Sequence, residues 1–347
     1  MSRPIRTAVA VVVVALSAAF TAPVAAETGS AAPGSPRGAA AAIDAGGDHA
    51  CLLLDDGGVR CWGENWAGQL GLGDTEDRGD EGDELGDDLP AVDLGTAGPV
   101  VAVTTGGVHT CALFADGGVR CWGKNQFGQL GLGDSDHRGD GPGELGDALP
   151  AVDLGTDRTA TAVVGGAYHT CALLDDGSVR CWGANNHGQL GLGDTDARGD
   201  GPGEMGSDLP AVDLGAGRTA TALAAGVAHT CAVLDDGSVR CWGLNHAGQL
   251  GVGETDTRGD DPGEMAALPI ADLGTGRTAV AVTAGLAHTC ALLDDGTVRC
   301  WGDGTNGQLG LGSTDDRGNE AGEMGEALPA VDLGAGRTAL AVTAGIF

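Results

Sequence analysis

Residues 169–194 read HTCALLDDGSVRCWGANNHGQLGLGD, and the chain writes nearly the same stretch five times. The copies open at His49, His109, His169, His229 and His288, 60 residues apart except for the last, which arrives one residue early after a deletion between Met265 and Leu268. A length change tolerated there marks that segment as loop. One structural unit is therefore repeated, and whatever is particular to function has to lie where the copies differ.

Inside the unit, Thr170 to Leu174 and Val179 to Trp182 are short apolar, β-branched runs separated by Asp175-Asp176-Gly177-Ser178. The Asp-Gly pair suits the positive φ angles of a tight turn, which predicts a β-hairpin. Upstream, Thr159 to Val164 predicts a strand ending at Gly165-Gly166; downstream, Leu209 to Leu214 predicts another, put at a sheet edge by Pro210. No window carries the apolar spacing of a helix. Four strands per ~60 residues without helices predict an all-β fold, a β-propeller of radially arranged four-stranded sheets. Five full copies are present, and a truncated sixth stops at Gly345, where His-Thr-Cys would follow. That incomplete last blade predicts an imperfectly closed ring or self-association through exposed strand edges.

The repeated positions Gly166, His169, Thr170, Ala172, Leu173, Asp176, Gly177, Val179, Trp182, Gly183, Asn185 and Gly188 to Gly191 resemble the regulator of chromosome condensation repeat. The resemblance covers residues 42–347 and departs from the pattern in two ways: Gly304 stands where the fifth copy should carry Asn, and every copy adds an acidic insert after Gly-Leu-Gly or Gly-Val-Gly. It implies a propeller, usually seven-bladed in this family. Nuclear relatives are guanine nucleotide exchange factors that bind chromatin, so exchange activity is implied by family analogy alone. The nearer functional parallel is a secreted bacterial β-lactamase inhibitor built on this fold.

Residues 1–26 read as a signal peptide, with Arg3 and Arg6 before an apolar run from Ala8 to Phe20 and the small residues Val24-Ala25-Ala26 before Glu27. The run is shorter than the ~20 apolar residues of a membrane span, so no span remains after cleavage. Residues 27–41 read as a flexible linker and 42–347 as the repeat domain. The predicted location is secreted or cell surface.

The ten cysteines fall in pairs, Cys51 and Cys61, Cys111 and Cys121, Cys171 and Cys181, Cys231 and Cys241, Cys290 and Cys300. If the hairpin loop is Asp175-Asp176-Gly177, Leu174 faces Ser178 and Cys171 faces Cys181 in a non-hydrogen-bonded pair, where side chains come closest. Export supplies the oxidising compartment, so five disulfides are predicted. Zinc would require ligand pairs a few residues apart and a second pair nearby.

A net charge of −31, from 49 acidic against 18 basic residues, repels phosphate backbones and excludes nucleic acid and anionic membrane as partners. It favours cations and basic proteins. The inserts partly mimic a calcium loop: in the third copy Asp194, Asp196, Asp200 and Glu204 are the candidate ligands, although Arg198 and Met205 occupy ligand places. Arg78-Gly79-Asp80 and its three later copies spell an adhesion tripeptide, lost in the fifth copy as Asn319. The repeated histidines are expected to bond a neighbouring blade's backbone. Arg60, Arg120, Arg180, Arg240 and Arg299 are expected to stack on the Trp two residues later or to pair with Asp.

No catalytic set stands out, since the carboxylates recur in every copy whereas an active site is singular. The chain therefore reads as a non-enzymatic scaffold without a cofactor that binds an extracellular protein, with a calcium-binding structural or adhesive surface protein as the alternative. Recognition should use positions that diverge inside the constant frame. Those are the residues after Trp-Gly, including Trp66, Lys124, Phe127, His187 and His246, and those before the repeated His, including Tyr168. In a chain only 3% aromatic, Trp66, Phe127 and Tyr168 are the expected anchors.

Overall fold

The computed structural model describes residues 39–345, so the signal and most of the linker lie outside the described residues. Five antiparallel sheets follow one another. They are β1 (Ala40–Ala45), β2 (His49–Leu54) and β3 (Val59–Gly63); β4 (Val100–Thr105), β5 (His109–Phe114) and β6 (Val119–Gly123); β7 (Ala160–Gly165), β8 (His169–Leu174) and β9 (Val179–Gly183); β10 (Ala220–Ala225), β11 (His229–Leu234) and β12 (Val239–Gly243); β13 (Ala279–Ala284), β14 (His288–Leu293) and β15 (Val298–Gly302). β1 starts at Ala40, inside the stretch read as linker. Helix among the described residues amounts to three short 3-10 turns and the four-residue Glu264–Ala267.

The hairpin forms as its turn residues dictate. Gly177 takes φ 77°, where a side chain would be strained. Leu174 N donates to Ser178 O at 2.9 Å, and Cys171 then faces Cys181. All five predicted pairs are bridged, with Cα–Cα distances of 4.0–4.1 Å. Disulfides in this number belong to an oxidising environment.

The four-stranded blade is corrected to three strands. Leu209 to Leu214 runs beside β9 but makes a single ladder bond, Val212 N to Val179 O at 2.8 Å. Pro210 has no N–H to donate, and the segment instead turns Val212 and Leu214 into the core against the next blade.

Four of the five core clusters lie between consecutive blades, and the fifth lies between the last sheet and the segment carrying Val331, Ala339 and Val342. On β8, the alternation of a strand sends Cys171 and Leu173 forward and Ala172 and Leu174 backward. The forward set packs on Trp242 of the following blade, while the backward set joins Trp182 against Cys111 and Cys121 of the preceding one. β5, β8 and β11 are buried along their whole length because both faces are covered. β2 alternates buried and half-buried, the pattern of a strand covered on one face.

The repeated polar residues clamp blade to blade. Thr170 Oγ1 donates to Gln129 O of the preceding blade at 2.8 Å, and Trp182 Nε1 donates to the same carbonyl at 3.0 Å. With its proton committed, the Thr170 hydroxyl accepts from His109 Nε2 at 2.9 Å. His109 is therefore the neutral Nε2–H tautomer. The same clamp joins His49 to Thr110, His169 to Thr230 and His229 to Thr289. The histidine partner is thus a neighbouring hydroxyl, not the backbone as expected. Gly106 lets the ring in: a Cβ there would lie 2.1 Å from the His109 ring. Replacing Thr170 by Val keeps the shape but orphans the buried His109 N–H, so a loss of about 2 kcal/mol is expected from urea unfolding.

Candidate protein-interaction face

The loop after each hairpin is built by one asparagine. Asn185 Oδ1 accepts from Leu190 N at 3.0 Å, and its Nδ2 donates to the Asp194 carbonyl at 2.8 Å. His187 N donates to Gln189 Oε1 at 2.9 Å. With the backbone so tied, the side chains of Trp66, Lys124, Phe127 and His187 make no hydrogen bond to their loop backbones and stand on one end of the propeller, while Asp303 Oδ1 accepts from Thr305 N at 2.9 Å and His137 Nδ1 from Asn125 N at 3.2 Å. In the fifth copy Gly304 lacks the side chain for the asparagine's bonds and keeps the backbone one, Gly304 N to Asp316 Oδ1 at 2.9 Å, which Asn65 N also makes to Asp77 Oδ1 at 2.7 Å.

Four of the six predicted residues meet there. Lys124 Nζ lies 5.0 Å from the centroids of both the Trp66 and the Tyr168 ring, held between the first and third blades. Phe127 meets Tyr168 edge to face at 5.6 Å. Trp66 is 47% exposed and Tyr168 36%, while Phe127 is half-buried. Trp66 Nε1 is fixed by Glu64 Oε2 at 3.1 Å. His187 and His246 are exposed on the loops of the third and fourth blades and take part in none of these ring contacts. His246 instead has Gln249 Nε2 at 3.4 Å from its Nδ1.

One member went unread in the sequence. His137, from the insert of the second copy, sits edge-on to Trp66 at 6.5 Å. It occupies the place of Asp77, Ala197, Thr257 and Asp316 in the other copies, so the same divergence rule would have found it.

The inserts are braces. Gly193 N donates to Gly259 O at 3.0 Å, and Gly133 N to Gly199 O at 2.9 Å, tying the Arg-Gly-Asp glycines of the third and fourth copies to the preceding blade. Arg198 pairs with Asp194 at 2.6 Å, and Glu204 Oε2 accepts from Gly199 N at 3.0 Å and Gly201 N at 2.8 Å. Within the tripeptide Gly199 is therefore buried and Arg198 half-buried, while Asp200 is exposed. Asp194 and Glu204 thus accept bonds from within the insert, and among the described residues no group of three His, Cys, Asp or Glu side chains is placed to hold a metal ion.

The repeated arginines do not stack on tryptophan or pair with aspartate. Arg120 donates to Leu94 O at 3.0 Å and Gly146 O at 2.8 Å, and Arg180, Arg240 and Arg299 likewise reach the carbonyls of Gly206, Met265 and Gly325. The short helical turn downstream presents these carbonyls, a feature the strand-by-strand reading lacked.

Burial shapes the histidine charges. Desolvation pushes His49 and His169 down to about 4, and His109 and His229 down to about 3, the latter two helped by neighbouring histidines. Asp44 on β1 is pushed up by burial despite hydrogen bonds from Thr105 N and Oγ1 at 2.6 and 3.0 Å. It is the one titratable group lining an axial cavity of about 330 Å³ between the inner strands. No described helix is long and apolar enough to cross a membrane.

Residues 21–345 match the RCC1-like domain. The ultraviolet-B receptor UVR8 of Arabidopsis thaliana is 32% identical over 274 residues, 78% of this chain and 55% of the receptor. The E3 ubiquitin-protein ligase HERC2 of Homo sapiens is 30% identical over 275 residues, 79% of this chain and 5% of the ligase. The chain thus spans about half the length of the first relative and a small part of the second. Human WBSCR16 superposes with a TM-score of 0.64 at 20% identity, over 88% of this chain and 70% of that one. Prp20p of Saccharomyces cerevisiae gives 0.61 at 21% identity, over 86% and 65%. At such identities these two likenesses concern the fold. With the repeat, the hairpin register and the blade-to-blade clamps in agreement, the chain belongs to the RCC1-like domain family of β-propellers.

Proposed function

We propose that this propeller is an exported protein-binding scaffold, carried out by residues 1–26 and working outside the cell or at its surface, where it captures or inhibits a protein. The observation that carries the reading is the cluster of Trp66, Lys124, Phe127 and Tyr168, drawn from three blades onto one end of the propeller. Exposed Trp and Tyr on a rigid frame are what interface anchors look like, because they bring large area at little conformational cost. Two further observations support it. Five disulfides suit an extracellular medium. Prp20p, of the same fold, was studied for binding to Gsp1p and histones, which are proteins. The net charge of −31 steers basic partners towards the scaffold.

The test is mutational. Trp66→Ala, Phe127→Ala and Tyr168→Ala are expected to leave the melting temperature nearly unchanged and to weaken capture by on the order of 2 kcal/mol for the strongest anchor. Loss of several degrees of melting temperature with binding intact would make these residues packing elements and move the interface elsewhere.

A further inference from the structure

Lys124 is the only lysine in the chain. Among the described lysine and arginine side chains it is also the one with neither a hydrogen bond nor an ion pair. Arg78, Arg138, Arg158, Arg198, Arg218, Arg258, Arg277 and Arg317 all meet carboxylates. The remaining described arginines donate to backbone carbonyls. With 49 acidic residues on the chain, a lone ammonium left without a carboxylate needs an explanation. The geometry supplies part of it. The rings of Trp66 and Tyr168, each 5.0 Å away, hold Nζ by cation–π attraction, and Glu64 Oε2 accepts from the Trp66 indole N–H rather than from Lys124. Those rings leave the ammonium's remaining N–H donors without a protein acceptor.

We propose that this ammonium seats a carboxylate of the captured protein: an Asp or Glu side chain next to an aromatic or large apolar side chain, on an otherwise basic surface. The inference rests on the capture reading above and names its chemistry. Each part of the partner answers a feature of the site. The carboxylate completes the donors of Lys124, the apolar neighbour lies on the exposed faces of Trp66 and Tyr168 beside Phe127, and the basic surround matches the acidic remainder of the scaffold. An ammonium already flanked by rings is partly desolvated and fixed, so a charge-assisted bond to it loses less on forming than one to a free lysine.

One lysine and one tyrosine make the test direct, since carbon-13 labelling of either gives a single reporter in the full-length chain. The probe is the peptide acetyl-Lys-Gly-Trp-Glu-Gly-Lys-amide, with Gln in place of Glu as its control. The Glu peptide is expected to move the Lys124 signal saturably and to bind about tenfold more tightly than the Gln peptide, the size of one charge-assisted hydrogen bond. In Lys124→Met, followed through the Tyr168 signal, both peptides should bind alike, and an unchanged melting temperature would show that the fold is kept. Equal binding of the two peptides to the unmodified chain, or no shift with either at millimolar concentration, would overturn the carboxylate pairing. If Trp66→Ala still weakened protein capture while Lys124→Met did not, the interaction face would stand and this inference alone would fall.

Discussion

Acidification from pH 7 to pH 4 is expected to unfold the propeller. The folded-state pKa values of His49, His109, His169 and His229 lie at about 3 to 4, below the ordinary 6.5, because burial penalises the imidazolium. Between those values the unfolded chain binds protons that the folded chain refuses, so stability falls as pH drops through 6.5 and continues to fall towards 4. One pH unit into that window each histidine contributes on the order of 1.4 kcal/mol, and four together approach the ~5–15 kcal/mol that hold a typical domain. The clamp sharpens the effect, since each ring's Nδ1 has no hydrogen-bond partner and a proton placed there would be buried and unpaired. Asp44 and Asp260, both pushed up chiefly by burial, act in the opposite sense, two groups against four. Circular dichroism at fixed ionic strength checks this: the midpoint should fall between pH 4 and 6.5. A chain that keeps its cooperative melting at pH 3.5 would show that the histidines are not the buried neutral clamps described above.

Reduction should be as damaging at neutral pH. Each bridge closes a loop of 10 residues' separation, worth about 3 kcal/mol in the chain-entropy account. Five such losses exceed the stability of most domains. Full reduction is therefore expected to melt the array at 25 °C. A chain lacking one bridge through Cys171→Ala and Cys181→Ala should be destabilised by about 3 kcal/mol. The loss should spread to the fourth blade, because that pair packs against Trp242. A reduced chain with the melting temperature of the oxidised one would refute it.

What the sequence made legible was what depends on neighbours in the chain. The Asp-Gly turn set the hairpin register, the register set the Cys171–Cys181 pairing, and a repeat of 60 residues implied stacked sheets. Features that depend on the next blade were legible only in outline. The composition of Leu209 to Leu214 suits a strand, yet it forms one ladder bond because its apolar side chains are drawn into the core between blades. The histidine was read as a contact between blades, but its acceptor, a Thr hydroxyl 61 residues on, could not be singled out without the stacking. The arginines went to carbonyls because a 3-10 turn at Gly206 to Asp208 brings them within reach. The aromatic residues that meet on one end were legible by contrast, as departures from a frame repeated five times, and that rule extends to His137.

The propeller's ends offer the most direct test of the scaffold reading. Gln126 stands exposed beside Lys124 and Phe127, whereas Asp116 lies in the hairpin turn at the opposite end of β5 and β6. A photo-crosslinking phenylalanine derivative placed at each position in turn, with the oxidised chain exposed to its producer's extracellular proteins, reports which end meets the partner. Adducts to one protein from position 126, lost when Trp66→Ala is added, and none from position 116, are the predicted result. Adducts from position 116 with none from 126 would contradict the account.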